Sequence, residues 1–481
     1  MQHQPVRRLL LNMQRAVAAP TRNPRLAVVL GRLLATAFLL CFATGLYSHF
    51  LQQPLPWMRF PTQPTNLYQL TQGIHITAGI ACFPLIFGKL YTVFPNLFQT
   101  PPVSGLKGLL ERASIALFVG ASLVEIVIGL LNTYQFYLWP FGFRETHFAL
   151  SFVIIGSLAI HIGVKLPIIA RYWRKGDGYG PELAQTADER ELVDAPLIDA
   201  VPTPLQGAPG VRQAAGLTGR LFRWIDSTPS LDEPRVAVAP ITSVRAENEL
   251  DEPRIAAASI VSAPVAAEPI DPDMAAAPRT RVRSSLSRRG FLATIAAGVG
   301  AVVLLTAGQS FAFLAPLNVF APREKGIGPQ AVPVNRTAMA AQVTDTAIDP
   351  NWALSVTHGT FSQRFSRADL LALPQTTVDL PISCVEGWSQ MATWSGVRLT
   401  SLMALVGAGS TAALTLTSLE KEGGYRVTQM GPEYVGDPNT LVALMLNGET
   451  LDIDHGYPAR MIAPGRPGVL QTKWLSSLEV V

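Results

Sequence analysis

The chain has 481 residues and a formal net charge of +4, and only 15% of its residues are charged. Soluble domains carry about a quarter charged residues, so this composition excludes a wholly soluble protein and predicts segments that lie in lipid. The basic residues cluster beside apolar runs. This pattern indicates membrane topology and argues against nucleic acid as a partner.

Four apolar runs open the chain, and each approaches the roughly 20 residues that a helix needs to cross hydrocarbon. They lie at about 26–47, 74–94, 113–131 and 147–170. Pro84 predicts a kink in the second run. Glu125 places an ionisable group at membrane depth in the third run, where such a group usually faces the interior of a helix bundle.

The flanks of these runs predict their orientation. Basic residues concentrate before the first run, between the second and third, and after the fourth, whereas the other two loops hold only Arg59 and Arg144. By the positive-inside rule, the N-terminus and the end of the fourth run are cytoplasmic. The stretch 176–283 then follows in the cytoplasm. It carries half of the 34 acidic residues and lacks sustained periodicity, which predicts a disordered acidic linker.

A fifth apolar run begins near Phe291 and extends to about Ala315, so it crosses the membrane outward. Its flank, "SRRGFL" at 287–292, resembles a twin-arginine export signal. The alternative is that Arg288 and Arg289 only mark the cytoplasmic end of an ordinary transmembrane helix. Because the twin-arginine route carries folded proteins, a used signal predicts a cofactor in the exported part.

Histidines in or beside the apolar runs predict haem ligation. His147 and His161 are separated by 14 positions, about 21 Å of helical rise and close to four full turns, so both project from nearly one face. Imidazole is a common axial ligand of haem iron, and histidine is costly in lipid without a role. His75 and His147 both begin runs at the external side, which predicts that they hold one outer haem.

These helices resemble four-helix dihaem cytochromes b, such as formate dehydrogenase gamma subunits. That family places a histidine near the cytoplasmic end of its first helix, where this chain has Gly31 and Arg32. His161 remains as a ligand for a second, inner haem. His49, at the outer end of the first run, is either an alternative outer ligand or a partner for a haem propionate.

Beyond the fifth run, turn residues alternate with short β-rich runs such as "YRVTQM" and "LVALMLNG", and residues 399–408 suggest a short helix. The roughly 150 residues that follow Gln330 are enough for one compact mixed domain. Cys384 is the only cysteine there, so it has no disulfide partner within this part. It is therefore a buried thiol or a chemical ligand.

Two motifs carry a second resemblance: "PISCVEGWSQMATWSGVRLTSLM" at 381–403 and the run at 446–480 that contains "DHGYPAR". Together they resemble the molybdopterin-binding domain of the sulfite oxidase superfamily, and they are similar to the catalytic subunits of periplasmic methionine sulfoxide reductases. The resemblance covers about 351–481. A soft thiolate also suits a molybdenum centre on chemical grounds.

The resemblance implies that Cys384 binds molybdenum and that His455, Arg460 and the turn at Gly468 bind the pterin. Leu470 stands where the reductases have a lysine, so Lys473 is predicted to supply that phosphate contact. Ser418 corresponds to a family hydroxyl. For His455, capping a turn is the alternative role, and Arg466 is predicted to be a solvated charge.

The predicted fold is multi-domain: an all-α transmembrane four-helix cytochrome b bundle, one further transmembrane helix, and an α+β molybdopterin domain of the sulfite oxidase type. The segments are a basic cytoplasmic N-terminus at 1–25, the bundle at 26–175, the linker at 176–283, the signal and fifth helix at 284–316, and the exported domain at 317–481.

The predicted function is a membrane-bound molybdenum oxidoreductase that passes electrons from quinol through haem b to molybdenum. Val385, Glu386 and Gly387, which follow Cys384, are not cationic. Sulfite needs several arginines, so a neutral sulfoxide or N-oxide is the predicted substrate. Two alternatives are oxidation of sulfite or another sulfur compound with electrons passed into the membrane, and a haem protein with a non-catalytic binding domain.

Overall fold

The computed structural model describes residues 24–94, 105–173, 220–221, 224, 288–307 and 310–481. The predictions for the N-terminal segment before residue 24, and nearly all of those for the acidic linker, lie outside these residues. Five long helices occupy the first part of the described chain. They are α1 (Pro24–Gln52), α2 (Leu67–Val93), α3 (Gly105–Thr133), α4 (Phe143–Trp173) and α5 (Arg288–Thr306).

All five helices are long and apolar enough to cross a membrane, judged by length and composition. The first, third and fourth predicted runs fall inside their helices, which extend further at both ends because polar residues continue the helical backbone. The second run begins inside α2 but was predicted to end at residue 94, one residue beyond Val93. Helix α2 is unbroken through Pro84. Helix α5 ends at Thr306, well before the predicted Ala315, and a 3₁₀ turn at Ala312–Leu317 follows.

Glycines let the helices approach one another. A side chain at Gly88 on α2 would lie 2.7 Å from Ile295 of α5, and one at Gly79 would lie 3.4 Å from the Cys41 sulfur of α1. The buried apolar residues of all five helices form one core, which includes Leu30, Ile86 and Phe118. Helix α5 therefore packs on the four-helix group as a fifth member, against α2.

The C-terminal domain, residues 317–481, contains two five-stranded sheets. Short helices connect the strands: α6 (Thr344–Ala347), α7 (Arg367–Ala372), α8 (Leu399–Leu405) and α9 (Pro432–Val435). The strands are β1 (Ala353–His358), β2 (Phe361–Ser366), β3 (Gln375–Ser383), β4 (Ser389–Arg398), β5 (Leu414–Ser418), β6 (Val427–Met430), β7 (Leu441–Leu446), β8 (Glu449–Thr450), β9 (Arg460–Ile462) and β10 (Leu475–Val480).

One sheet has the order β2-β1-β10-β5-β6, in which only the β1–β10 pair is parallel. The other sheet has the order β3-β4-β7-β8, with β9 paired to β7. The apolar faces of β1, β5 and β10 pack with α8 and β7 into the main core. Side chains from β3, β4 and β7 build a second core that includes Trp388 and Trp394, and this second core surrounds Cys384.

Candidate active site and cofactor cavity

A cavity of about 940 Å³ lies between the helices and the C-terminal domain. Its helical wall includes His49, His75 and His147, and its domain wall includes Val385 and Tyr425. Cofactor pockets commonly have volumes of about 300–1,000 Å³, so this one is large enough for a cofactor. The cavity brings the histidines and the residue that follows Cys384 to one continuous space.

His75 of α2 and His147 of α4 face each other across this cavity. Their ring centroids are 6.1 Å apart and their planes make an angle of 71°. Two imidazoles that hold one metal ion between them, each at a metal–nitrogen distance of about 2 Å, have centroids roughly 6 Å apart. The spacing of the two rings therefore fits a single metal atom between them.

The second nitrogen of His75 is already engaged. Its Nδ1 lies 2.9 Å from the Cys41 carbonyl oxygen and 3.6 Å from the Cys41 sulfur. A backbone carbonyl that accepts from one ring nitrogen fixes the tautomer and leaves the other nitrogen for a metal. On His147, Nδ1 lies 3.4 Å from Glu125 Oε1, so a carboxylate of α3 stands beside the second ring.

Two glycines make room for the histidine rings. A side chain at Gly45 on α1 would lie 2.9 Å from His75 Cε1, and one at Gly129 on α3 would lie 3.2 Å from His147 Cε1. Any larger residue at these positions would push on an imidazole. The absence of both side chains lets each imidazole pack closely against a neighbouring helix.

The other two predicted haem ligands lie elsewhere. His49 lines the same cavity, but its ring stacks on Phe148 with the centroids 3.6 Å apart. His161 is four turns along α4 and does not line the cavity. Its Nδ1 is buried and makes no hydrogen bond. Thus the structure joins His75 with His147, and it leaves His161 apart from them.

Cys384 sits in a tight loop between β3 and β4. Its amide donates to the Trp388 carbonyl at 2.9 Å, and the Gly387 amide donates to the Cys384 carbonyl at 3.1 Å. The turn needs a glycine, because Gly387 has a φ of 95°. The Cys384 side chain is buried, with 2% of its surface exposed. The two backbone bonds therefore fix where the sulfur points.

Burial and the charges around Cys384 keep its thiol protonated when no metal is bound. Burial raises the pKa of the Cys384 thiol, and the Glu386 carboxylate raises this pKa further. Lys473 and Arg323 act in the opposite direction through their positive charges. A bound metal ion deprotonates a coordinating thiol, so a raised thiol pKa in the bare protein does not oppose the ligand role.

Glu386 carries the carboxylate of this loop and is buried, with 1% of its side chain exposed. It accepts a hydrogen bond from Trp388 Nε1 at 2.8 Å and pairs with Arg323 at 3.4 Å. The Glu386 carboxylate also accepts a hydrogen bond from the side-chain amide of Gln135, a residue that lies just after α3. Burial raises the pKa of Glu386, while the bonds from Trp388 and Arg323 lower it.

Three of the predicted pterin-binding residues surround the same region. The Arg460 guanidinium is 1% exposed, donates to the His455 carbonyl at 3.2 Å, and has a buried Nε without a hydrogen-bond partner. His455 Nε2 lies 2.8 Å from the Pro329 carbonyl. A side chain at Gly468 would lie 3.1 Å from the Ser383 carbonyl, so this turn packs directly against the residue before Cys384.

Ser418 and Lys473 form a pair. The Ser418 hydroxyl donates to the Lys473 carbonyl at 2.8 Å, and Lys473 Nζ donates to the carbonyls of Arg336 and Asp454 at 2.9 and 2.8 Å. Burial lowers the pKa of Lys473 to about 7, and the positive charge of Arg460 lowers it further. Neither residue lines the cavity, and their roles at the cofactor stay predictions.

Arg466 differs from its predicted role as a solvated charge. Its side chain is 3% exposed, and its guanidinium donates to the Leu470 and Gln429 carbonyls at 2.9 and 2.7 Å. It also lies over the Tyr434 ring. The prediction was wrong because the partners of Arg466 include a strand that is distant in sequence.

The residues present fit a molybdopterin group. A single buried thiol, a buried arginine with an unpartnered Nε, and a lysine lie together, and they supply one soft ligand and two cationic donors. Within the described residues, no group of three or more His, Cys, Asp or Glu side chains could hold a metal ion. Neither a molybdenum held by one thiolate nor an iron held by two imidazoles needs such a group.

Several residues of the site carried no signal in the sequence. Arg323 and Arg336 lie on the cavity wall, and Gln72, Gln135 and Ser310 bond the Cys384 loop or its side chains from the helical region. Gln72, Gln135 and Ser310 are separated from their partners in the loop by 77 residues or more, so local motifs could not reveal them.

The C-terminal domain thus combines two packed sheets with one buried thiol in the β3–β4 loop. Residues 340–481 match the family described as "Oxidoreductase molybdopterin binding domain", and the C-terminal domain belongs to it. The predicted resemblance is confirmed for this domain.

Sulfite oxidase of Arabidopsis thaliana is 24% identical over 202 residues, which are 35% of this chain and 48% of that protein. The provisionally named protein-methionine-sulfoxide reductase subunit YedZ1 of Azospira oryzae is 32% identical over 117 residues, or 23% of this chain and 42% of that protein. The chain thus spans less than half the length of either relative.

Among solved structures, the sulfane dehydrogenase SoxCD from Paracoccus pantotrophus is 24% identical, with a TM-score of 0.26. The match covers 28% of this chain and 40% of that one.

Proposed function

We propose that this chain is a membrane-bound molybdenum oxidoreductase that uses membrane quinol to reduce a small sulfoxide or N-oxide. The balanced reaction is QH₂ + R₂SO → Q + R₂S + H₂O. The two electrons of quinol reduce the substrate sulfur, and two protons leave with its oxygen as water. The observation that carries the proposal is the single cavity that His75, His147 and Val385 line together.

In the helical region, His75 and His147 would hold one haem b, which when bound supplies one-electron transfer. Cys41 orients the His75 ring through its carbonyl, and Glu125 stands beside the His147 ring. Gly45 and Gly129 leave the space that the two imidazole rings occupy. A second haem at His161 is part of the proposal only if spectroscopy finds two haems per chain.

In the C-terminal domain, Cys384 would ligate a molybdenum that, when bound to molybdopterin, supplies two-electron oxygen-atom transfer. Arg460 is placed to donate to anionic or polar edges of the pterin through its unpartnered Nε. His455 stays neutral at physiological pH, since burial and the nearby cations lower its pKa to about 4. Its donation to Pro329 leaves the other ring nitrogen as an acceptor.

Arginines on the cavity wall bear on the choice of substrate. Arg144, Arg323 and Arg336 all line it, as an anion-binding site would require. Each of the three has a carboxylate partner: Glu145 at 2.8 Å, Glu386 at 3.4 Å and Glu420 at 3.9 Å, respectively. Because these pairs cancel most of the positive charge, a neutral substrate fits better than sulfite. The name of the Azospira relative points to the same substrate class.

Oxidation of sulfite, with electrons passed into the membrane, is the second candidate. The three arginines and the relationship to a plant sulfite oxidase favour it. In either direction the helices would span the cell membrane, with the N-terminus and linker in the cytoplasm and the C-terminal domain outside. The asymmetry of basic flanks supports this topology, and export by the twin-arginine route belongs to the same proposal.

Metal analysis and one assay test the proposal. The purified chain should contain molybdenum and haem at near one per chain, and a quinol-reduced sample should be reoxidised by a sulfoxide or an N-oxide. Reduction of the oxidised sample by sulfite, without reoxidation by any sulfoxide, would establish the second candidate. A chain with haem but no molybdenum would show a haem protein with a non-catalytic binding domain.

A further inference from the structure

The Cys384 loop is held from outside its own domain. Three successive residues of the loop receive hydrogen bonds from three different parts of the helical region. Gln72 of α2 donates to the Val385 carbonyl at 2.9 Å. Gln135, just after α3, donates to the Glu386 carboxylate. Ser310, just after α5, donates to the Gly387 carbonyl at 2.8 Å.

The backbone around these donors is arranged for the contact. Gln72 and Ser310 are buried, with 8% and 2% of their surfaces exposed. A side chain at Gly73 would lie 2.9 Å from Ser310 Cβ, so a glycine beside Gln72 lets the Ser310 segment reach the loop. Gln135 has a φ of 53°, a conformation that non-glycine residues rarely adopt and that the surrounding contacts must hold.

From these contacts we infer that the helical region completes the molybdenum site, with Gln72, Gln135 and Ser310 as positioning residues that clamp the loop bearing the Cys384 thiolate. The inference rests on the proposed function for the identity of the metal. The clamp itself does not depend on the metal, because its three hydrogen bonds join residues of this chain. Because Gln72 lies one helical turn before His75, the same clamp also fixes the loop relative to the proposed haem ligand.

The physical reason for a clamp is the geometry of the loop. The loop keeps its shape through two internal backbone bonds, Cys384 to Trp388 and Gly387 to Cys384. Neither bond restrains the carbonyls of Val385 and Gly387, which point away from the loop to the helices. Removing a donor would leave a carbonyl without its partner at a buried interface, and the loop would open more often.

Hydrogen exchange on the full chain tests the clamp without any turnover. Gln72→Leu and Ser310→Ala each remove one donor and nearly preserve side-chain size or reduce it slightly. We expect amide exchange of the peptide that contains residues 384–388 to be about fivefold faster in each variant, which is the effect of losing one hydrogen bond of ordinary strength. In the double variant the two effects should multiply.

The matched control is Gln52→Leu. Gln52 also bonds the C-terminal domain from the helical region, by accepting from the Tyr425 hydroxyl at 2.7 Å, but it does not touch the loop. Its loss should leave exchange at residues 384–388 at the wild-type rate. Unchanged exchange in Gln72→Leu and Ser310→Ala, or equal acceleration in Gln52→Leu, would overturn the inference.

A second measurement connects the clamp to the metal. The electron paramagnetic resonance signal of the molybdenum centre should shift in Gln72→Leu and Ser310→Ala, at unchanged molybdenum and haem content, because the direction of the thiolate changes. An unshifted signal alongside faster exchange would reject the positioning role. A wild-type chain that contains no molybdenum would instead refute the proposed function, while the exchange experiment would still report on the clamp.

Discussion

The helical region and the C-terminal domain hold their reactive groups in opposite ways. In the helices, His75 of α2 and His147 of α4 project into one cavity, and Gly45 and Gly129 leave room for their rings. In the domain, Cys384 is enclosed by a turn of its own backbone. The difference teaches that the histidines reach a shared open cavity, whereas the thiol is enclosed by its own loop.

In their buried polar atoms the two regions are alike, since each contains atoms without a hydrogen bond. His161 Nδ1 and Glu125 Oε2 in the helices are buried without a hydrogen bond. In the domain, Glu386 has three donors, but Arg460 Nε is buried without a hydrogen bond. Buried polar atoms without partners are costly and often mark a place where another group binds. Both regions therefore offer buried polar atoms that a bound group could satisfy. Five measurements can break or sharpen the comparison between the two regions.

The largest effect is expected for Cys384→Ser. Because residues that merely support a metal ligand cost about 10–100-fold when changed, loss of the ligand itself should lower turnover by well over about a hundredfold. The haem absorption spectrum should not change, since His75 and His147 are untouched. Retained turnover would reject Cys384 as the molybdenum ligand.

His75→Ala should abolish binding of the outer haem, and with it turnover driven by quinol. Molybdenum content should stay at the wild-type level if the two regions bind their cofactors independently. The measurements are the haem spectrum and metal analysis of the purified chain. His358→Ala is the matched control, because His358 lies at the end of β1 and its ring Nδ1 lies 3.1 Å from the Val406 carbonyl, away from the helices. A normal haem spectrum in His75→Ala would contradict the assignment.

Arg460→Gln should lower molybdenum content by about tenfold, because a buried cationic donor to the cofactor is lost. The haem spectrum should be normal. Arg364→Gln changes an exposed arginine on β2 of the same domain and should have no effect on metal content. Equal losses in both variants would show that the change acts through folding.

Lys473 predicts a pH dependence of stability in the chain without molybdopterin. Burial lowers the folded-state pKa to about 7, against 10.5 for an ordinary lysine. Between these values the unfolded state binds more protons, so stability should rise with pH, by at most about 1.4 kcal/mol per pH unit. Below pH 7 Lys473 is charged in both states, and the full cost of burying its charge lowers the stability of the folded chain. Lys473→Met should flatten this rise of stability with pH. The measurement is thermal unfolding of the chain purified from a host that makes no molybdopterin.

The smallest effect is expected for Tyr425→Phe at the junction of the two regions. The Tyr425 hydroxyl donates to Gln52 at 2.7 Å and accepts from Arg144 at 3.1 Å. Loss of these bonds should cost about 1 kcal/mol and change turnover by less than about twofold. A loss of either cofactor in this variant would mean that the junction, rather than each region, holds the cofactors.

Prediction from the sequence succeeded where the signal is local. The apolar runs marked the first four helices, because a helix that can cross lipid must be apolar over its whole length. The strand runs near 425–430 and 441–448 and the helix that begins at Leu399 were also predicted correctly. The motif around Cys384 identified its domain, which the family match confirms.

Prediction from the sequence failed where a residue contacts residues that are distant in the chain. Arg466 was assigned to solvent, yet its guanidinium donates to a carbonyl of β6. The end of α5 was placed too late, since apolar residues continue past Thr306 after the helix has ended. Composition alone does not show where the chain turns to meet another part of the molecule.

By itself, the sequence determined the apolar helices, the helical phase that puts His147 and His161 on nearly one face, and the lone cysteine in its motif. These depend on spacing within one element. Only the tertiary structure decided that His147 faces His75, that one cavity reaches from them to Val385, and that Gln72 and Ser310 bond the Cys384 loop. The physical reason is that hydrogen bonds and ring contacts depend on distances in space. Packing brings these groups together across as many as 313 residues of chain.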